Sequence, residues 1–270
     1  MLTTKPSPLP QLSSLPLRVG DPPRSAWGRW GKDDQLGTLN YLTDDLVKKT
    51  IHSEIKSGQR VGLKAARNGI VFGILHFKRR GNSLTGKVIA LRKAGGIAGR
   101  GILVDYAEYA DLNGINYEKT KAHQISVDVV KAILVETRTE VHIGDILFLR
   151  TGFIQGYLAL DQSEREAMKM ERQWPGLMQS QLTAEWLWES QFAAVAADNP
   201  AFECGPHADP AWHLHPMLLA GWGTPIGELF DLEGLSRMCK KSGRYSFFVS
   251  SAPLNYSGAV ASPPNAIAFF

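Results

Sequence analysis

His215-Pro216-Met217-Leu218-Leu219-Ala220-Gly221-Trp222-Gly223-Thr224-Pro225-Ile226-Gly227-Glu228 sets an imidazole and a carboxylate at the two ends of a glycine-interrupted apolar run. Both donor types suit zinc or manganese, but a catalytic ion takes about three protein ligands and an open water position. Two donors are half of such a site. Glu228 sits among Pro225, Ile226, Gly227 and Leu229. An unpaired carboxylate is costly in that setting, so it needs a cation or a hydrogen-bond network. A lone histidine such as His215 can also serve as a helix cap or satisfy a buried carbonyl.

Outward from this stretch, the pattern is one of strands alternating with helices. Phe192 to Ala197 predicts a strand that ends at Asp198, in Asp198-Asn199-Pro200. Asp198 there can orient a histidine or begin a turn, and Glu203 follows the same logic. His213 and His207 lie nearby, and His213 shares a face with His215 only if the segment is extended. Gly101 to Val104, Val88 to Leu91, Asp145 to Arg150 and Ser246 to Ser250 read as buried strands. Helices are predicted over 44–57, 126–136, 161–171 and 231–241, with a further one opening at a Thr183 cap. Arg100, between two glycines, suits an anion contact or a salt bridge that holds its loop. The seven tryptophans read as core or pocket wall.

Several of these segments carry a resemblance. His215–Glu228, Ala193–Glu203, Ser250–Leu254 and Val260–Ala266, with Trp30–Asn40, Gly95–Tyr106 and Gly144–Phe153, follow one another in the order seen in the cyclase family of kynurenine-formamidase-like metal hydrolases. The chain most resembles the larger fungal members. The resemblance implies an α/β fold of the swivelling β/β/α kind with a central barrel-like mixed sheet, in place of the doubly wound sheet that alternation alone would suggest. It covers residues 27–270 as a single cyclase-like domain, shortened around 64–94. It also implies a homo-oligomer; a small-molecule substrate from secondary metabolism is a further expectation.

In the family, a strand and loop before the Gly-Arg-Gly-Ile segment carry a His-x-Gly-Thr-His-x-Asp motif or a Gln-Trp-Asp-Gly-x-x-His variant. Here Ser57–Ala66 resembles the preceding strand, and Arg67-Asn68-Gly69 follows without either motif. The resemblance therefore implies His215 and Glu228 as retained ligands of a divalent ion, zinc or manganese, with His76 standing in as proton carrier; Asp198, from its place at the strand end, is the other candidate catalytic residue. The expected activity is hydrolysis or cyclisation at an amide, lactone or related carbonyl of a small molecule. A metal-free cyclase or isomerase and a non-catalytic relative are the alternatives that the missing motif leaves open.

Composition bounds these readings. The 270 residues, 44% hydrophobic, are enough for one substantial core. Residues 1–26 carry six prolines and read as an extended arm. No run of about 18 apolar residues or signal-peptide h-region is present, which predicts a cytoplasmic protein without a membrane partner. Cys204 and Cys239 are too few for a disulfide framework. From Lys64 to Arg100 there are nine basic and no acidic residues. No nucleic-acid recognition motif accompanies them, so a solvated basic face or an anionic small substrate is the reading. No Gly-x-Ser-x-Gly elbow, phosphate loop or dinucleotide fingerprint occurs.

Overall fold

A computed structural model describes residues 8–63, 75–76, 95–207, 209–254 and 261–270. The strands are β1 (Arg60–Gly62), β2 (Leu75–His76), β3 (Ile97–Asp105), β4 (His123–Ile125), β5 (Ile146–Arg150), β6 (Pro175–Leu177), β7 (Ala194–Ala197), β8 (Ile226–Gly227), β9 (Ser246–Ser251), β10 (Ala261–Ser262) and β11 (Ala266–Phe269). Nine of them form one mixed sheet in the order β1-β11-β9-β3-β5-β7-β8-β2-β10. Seven of these curl into a half-barrel, which the two-residue strands β2 and β10 extend. Strands β3, β5, β7 and β8 run parallel, and the flanking pairs are antiparallel. A separate parallel pair joins β4 to β6. This is the mixed α/β, barrel-like architecture that the resemblance implies.

The inner strands are buried on both faces, which is why they read as continuous apolar runs. Side chains still alternate. Ile102, Val104, Leu147, Leu149, Val195 and Ala197 meet one core cluster, with Val130, Ile133, Leu187, Trp188 and Trp222 from the helices. Leu103, Ile146, Phe148, Ala194 and Ala196 meet the other, with Leu232, Leu235, Phe247 and Phe270. Each fully buried large side chain contributes roughly 1.5–3 kcal/mol.

The helices begin where side chains take up orphan amides. Thr43 accepts from Leu46 N ahead of α1 (Asp44–Glu54), and Ser126 accepts from Val129 N ahead of Val127–Glu136. Asp161 and Glu164 form a reciprocal capping box on Gln162–Glu171. The helix expected to open at Thr183 spans Gln181–Glu189 instead. Ser180 is its cap and accepts from Thr183 N, so Thr183 is the recipient of the capping bond. The predicted strand at Val88–Leu91 lies outside the described residues. Arg100 resolves as a salt bridge: it donates to Glu54 Oε1 at 3.1 Å, Asp145 Oδ2 at 2.8 Å and the Glu140 carbonyl at 3.0 Å. Both cysteines are buried and free.

Residues 8–31 lie against their own chain. Leu12 and Leu15 enter the core, and Trp188 Nε1 donates to Pro10 O at 2.7 Å. Ala26 N donates to Gly221 O at 2.9 Å and Trp222 Nε1 to Arg24 O at 2.9 Å, so the arm grips the segment that follows His215. The Trp30–Asn40 stretch has its own physical reason. Asp34 collects the amides of Leu36 and Gly37 and the Asn40 side chain at 3.2, 2.9 and 2.7 Å. Gly37, at φ 60°, then abuts Gly223 so closely that a Cβ would lie 2.4 Å from the Gly223 carbonyl oxygen. Gly37→Ala is expected to cost on the order of 2–4 kcal/mol, from the strained φ and the forced backbone shift. A lowered urea midpoint with unchanged slope checks this; an unchanged midpoint contradicts it.

Among the described residues no helix is long and apolar enough to cross a membrane.

Candidate acid–base site

The parallel strands set the location. β3 leads into Asp105 and Tyr106, β5 into Thr151, β7 into Asp198 and Asn199, and β8 into Glu228. Polar groups at the carboxyl ends of adjacent parallel strands make the usual crevice of an open α/β sheet. Leu229 N bonds Asn199 O at 3.1 Å and Phe230 N bonds Ala197 O at 3.1 Å, which fixes Glu228 beside the end of β7.

His215 reaches this end from outside the sheet. It lies in one turn of helix, Leu214–Pro216, that runs into a π-helix, Met217–Trp222. Such wide turns are rare and often sit at functional sites. His215 Nδ1 is 3.0 Å from Glu203 Oε1, and its Nε2 is 4.0 Å from Glu228 Oε1. The His215 side chain is 27% exposed and each carboxylate 6%. The imidazole is thus the part of the trio that solvent and ligand reach. Glu203 Oε2 has no hydrogen-bond partner among the described residues.

Of the expected metal ligands, His215 and Glu228 are brought together. Among the described residues, no group of three His, Cys, Asp or Glu side chains is placed to hold a metal ion. A catalytic zinc or manganese needs more donors than these two, so the described residues do not by themselves fit one.

His76 lies in β2 opposite Ile226, with its backbone next to the strand that delivers Glu228; its side chain is outside the described residues. Asp198 is fully buried, and its Oδ1 accepts from Thr151 N at 2.7 Å and Thr151 Oγ1 at 2.8 Å. Its Oδ2 has no partner among the described residues. Burial pushes its pKa up to about 6, against the opposing pull of the Thr151 bonds and Arg150. The folded protein holds this proton more tightly than the unfolded chain. The stabilisation is therefore full below the ordinary carboxylate range and is lost as pH rises to about 6. The stability difference between Asp198→Asn and the parent should shift in favour of the variant by about 2–3 kcal/mol from pH 3.5 to 6.5. Denaturant unfolding at both pH values reads this out, and a constant difference would remove Asp198 as the cause.

His207 and His213 stack on each other, centroids 4.4 Å apart and planes 9° apart. The helical turn at Leu214–Pro216 breaks the extended spacing that would put His213 on the face of His215. Burial first, and then His207, lower the His213 pKa.

The sequence reading missed a second group. Tyr106 OH is 2.5 Å from His123 Nε2, Tyr117 stacks on His123 at 4.6 Å, and Tyr117 OH donates to Thr151 O at 2.6 Å. Burial lowers the His123 pKa; burial and the Asp198 charge raise that of Tyr117. Tyr106 follows a predicted strand directly, a usable signal; nothing local marks His123. A cavity of about 130 Å³ lies on the arm side, lined by Trp27, Trp30 and Trp222, away from His215.

Residues 73–204 match a family model described as "Putative cyclase". The fold is shared with the crystal structure of a novel cyclase, at 28% identity and a TM-score of 0.75, over 91% of this chain and 99% of that one. Isatin hydrolase A from Ralstonia solanacearum is similar at 17% identity and a TM-score of 0.50, over 73% of this chain and 70% of that one, a likeness of fold alone. No curated protein matches the chain. The chain thus shares the fold of a cyclase, and a segment just under half its length matches the cyclase model.

Proposed function

We propose that this protein is a cyclase-family hydrolase or cyclase that acts on an amide, lactone or related carbonyl of a small molecule by acid–base chemistry centred on His215. The observation that carries this reading is the Glu203–His215–Glu228 arrangement at the carboxyl ends of the parallel strands. Glu203 accepts the Nδ1–H, so the lone pair is on Nε2, the nitrogen that faces Glu228. In hydrolysis, Nε2 takes a proton from water as the oxygen attacks the carbonyl carbon. In cyclisation, the substrate's own hydroxyl or enol loses that proton. Glu203 stabilises the imidazolium, which then returns the proton to the leaving group. Glu228 lies across from Nε2, where it can orient the nucleophile. Zinc or manganese enters this reading only with donors beyond His215 and Glu228.

The test is turnover by the purified protein of aryl formamides, lactones and cyclic amides, with and without added Zn²⁺ or Mn²⁺. The ion content is measured on the same samples. Turnover of any class, dependent on His215, supports the reading. No turnover under any of these conditions overturns it.

A further inference from the structure

We propose that Gln179 is the positioning residue of the Glu203–His215 pair. This deepens the acid–base reading above and rests on it. Glu203 and His215 stand twelve positions apart and meet across a loop. One side chain spans the mouth of that loop. Gln179 Nε2 donates to the carbonyl of Cys204, the residue after Glu203, at 2.9 Å, and Gln179 Oε1 accepts from the amide of Leu214, the residue before His215, at 3.1 Å. The orientation of the Gln179 amide follows from its partners, because a carbonyl only accepts and a backbone N–H only donates. Both backbones that carry the pair are thus pinned to one planar group.

That group has a rigid mount. Met178 N donates to Ile125 O at 2.8 Å on one side of Gln179, and Ser180 caps Gln181–Glu189 on the other. The Cys204 amide bonds Leu177 O at 2.9 Å, so the Glu203 side of the loop is also tied to β6. The His215 side gains the same reference frame through Gln179. Gln179 bonds backbone atoms next to the pair and acts through Glu203 and His215. A misplacement of about 1 Å at a reacting pair can cost on the order of a hundredfold in rate.

The experiment compares Gln179→Met, which keeps length and loses both bonds, with Gln179→Glu, which keeps the acceptor for Leu214 and turns a carboxylate oxygen toward the Cys204 carbonyl. The expected result is a fall in kcat of roughly ten- to hundredfold with KM within about twofold. In a double-mutant cycle with Glu203→Gln, the Gln179→Met effect should largely vanish, because both act through one pair. Additive effects, or a loss confined to KM, would overturn the proposal. If Gln179→Met does not fold, Gln179→Glu carries the same test.

A second readout needs no substrate. Carbethoxylation of His215 by diethyl pyrocarbonate, followed by peptide mass spectrometry, should change at least about threefold in Gln179→Met relative to exposed His52. An unchanged ratio overturns the role of Gln179, whereas an absence of turnover in the parent protein overturns the acid–base reading and leaves this arm standing.

Discussion

His215→Ala is expected to lower kcat by about a hundred- to ten-thousandfold on any substrate the parent turns over, the range that one positioned acid–base group contributes. Truncation also takes from the buried Glu203 carboxylate its Nδ1–H donor, so stability should fall by about 1–3 kcal/mol. The loss of kcat is therefore read well below the melting temperature of the variant. Glu203→Gln is expected to cost less but more than tenfold, because an amide can hold the ring without stabilising its charged form. Glu228→Gln tests the other flank. If His215→Ala and Glu228→Gln both retained parental kcat, the chemistry would have to be placed elsewhere, with the Tyr106–His123 pair next in line.

Arg150→Met is expected to be the most destabilising single change, at about 3–5 kcal/mol. The guanidinium donates to Asp105 Oδ1 at 2.7 Å and to both oxygens of Glu233 at 2.9 Å. Its side chain is 9% exposed, that of Asp105 2%. Removing the cation leaves two carboxylates facing each other in a poorly hydrated site, and methionine replaces volume without replacing charge. The three residues come from the ends of β5 and β3 and from the helix Glu233–Ser242, so the cluster fastens the site end of the sheet to the helix behind it. The urea midpoint of Arg150→Met measures the loss. Adding Asp105→Asn and Glu233→Gln should restore a substantial part of it. No recovery in the triple variant would mean that packing, not charge, is what Arg150 supplies.

The parts of the fold that were legible in sequence are those with strong local patterns. β5 was expected over 145–150 and spans Ile146–Arg150, and the helix at 126–136 begins one residue later behind its Ser126 cap. The strand expected from Phe192 starts at Ala194, since the Ala193 amide bonds the Asp145 carbonyl before the β7 ladder begins. The helix Tyr106–Leu112 and the three-residue pair β4–β6, which includes Pro175, left no periodicity to read. At the site, His215 and Glu228 were visible through their motif. Glu203 reads in sequence as able to orient a histidine or begin a turn, and only the folded loop brings it to His215. Gln179 carried no signal at all, since its role consists of two bonds to backbone atoms far along the chain.

The order of the sheet has a consequence for how the molecule assembles. Val61 pairs with Ala268, and β11 lies between β1 and β9. The Phe270 carbonyl accepts from the amides of Ser57 and Gly58. Among the described residues, β1 therefore has no neighbour until a segment some two hundred positions downstream reaches it. Pairings this remote must meet the entropy of closing a long loop before they return any stabilisation, so they slow folding. During synthesis, the parallel centre and its helices can collapse early, while β1 waits as a bare edge for the ribosome to release the strand that covers it.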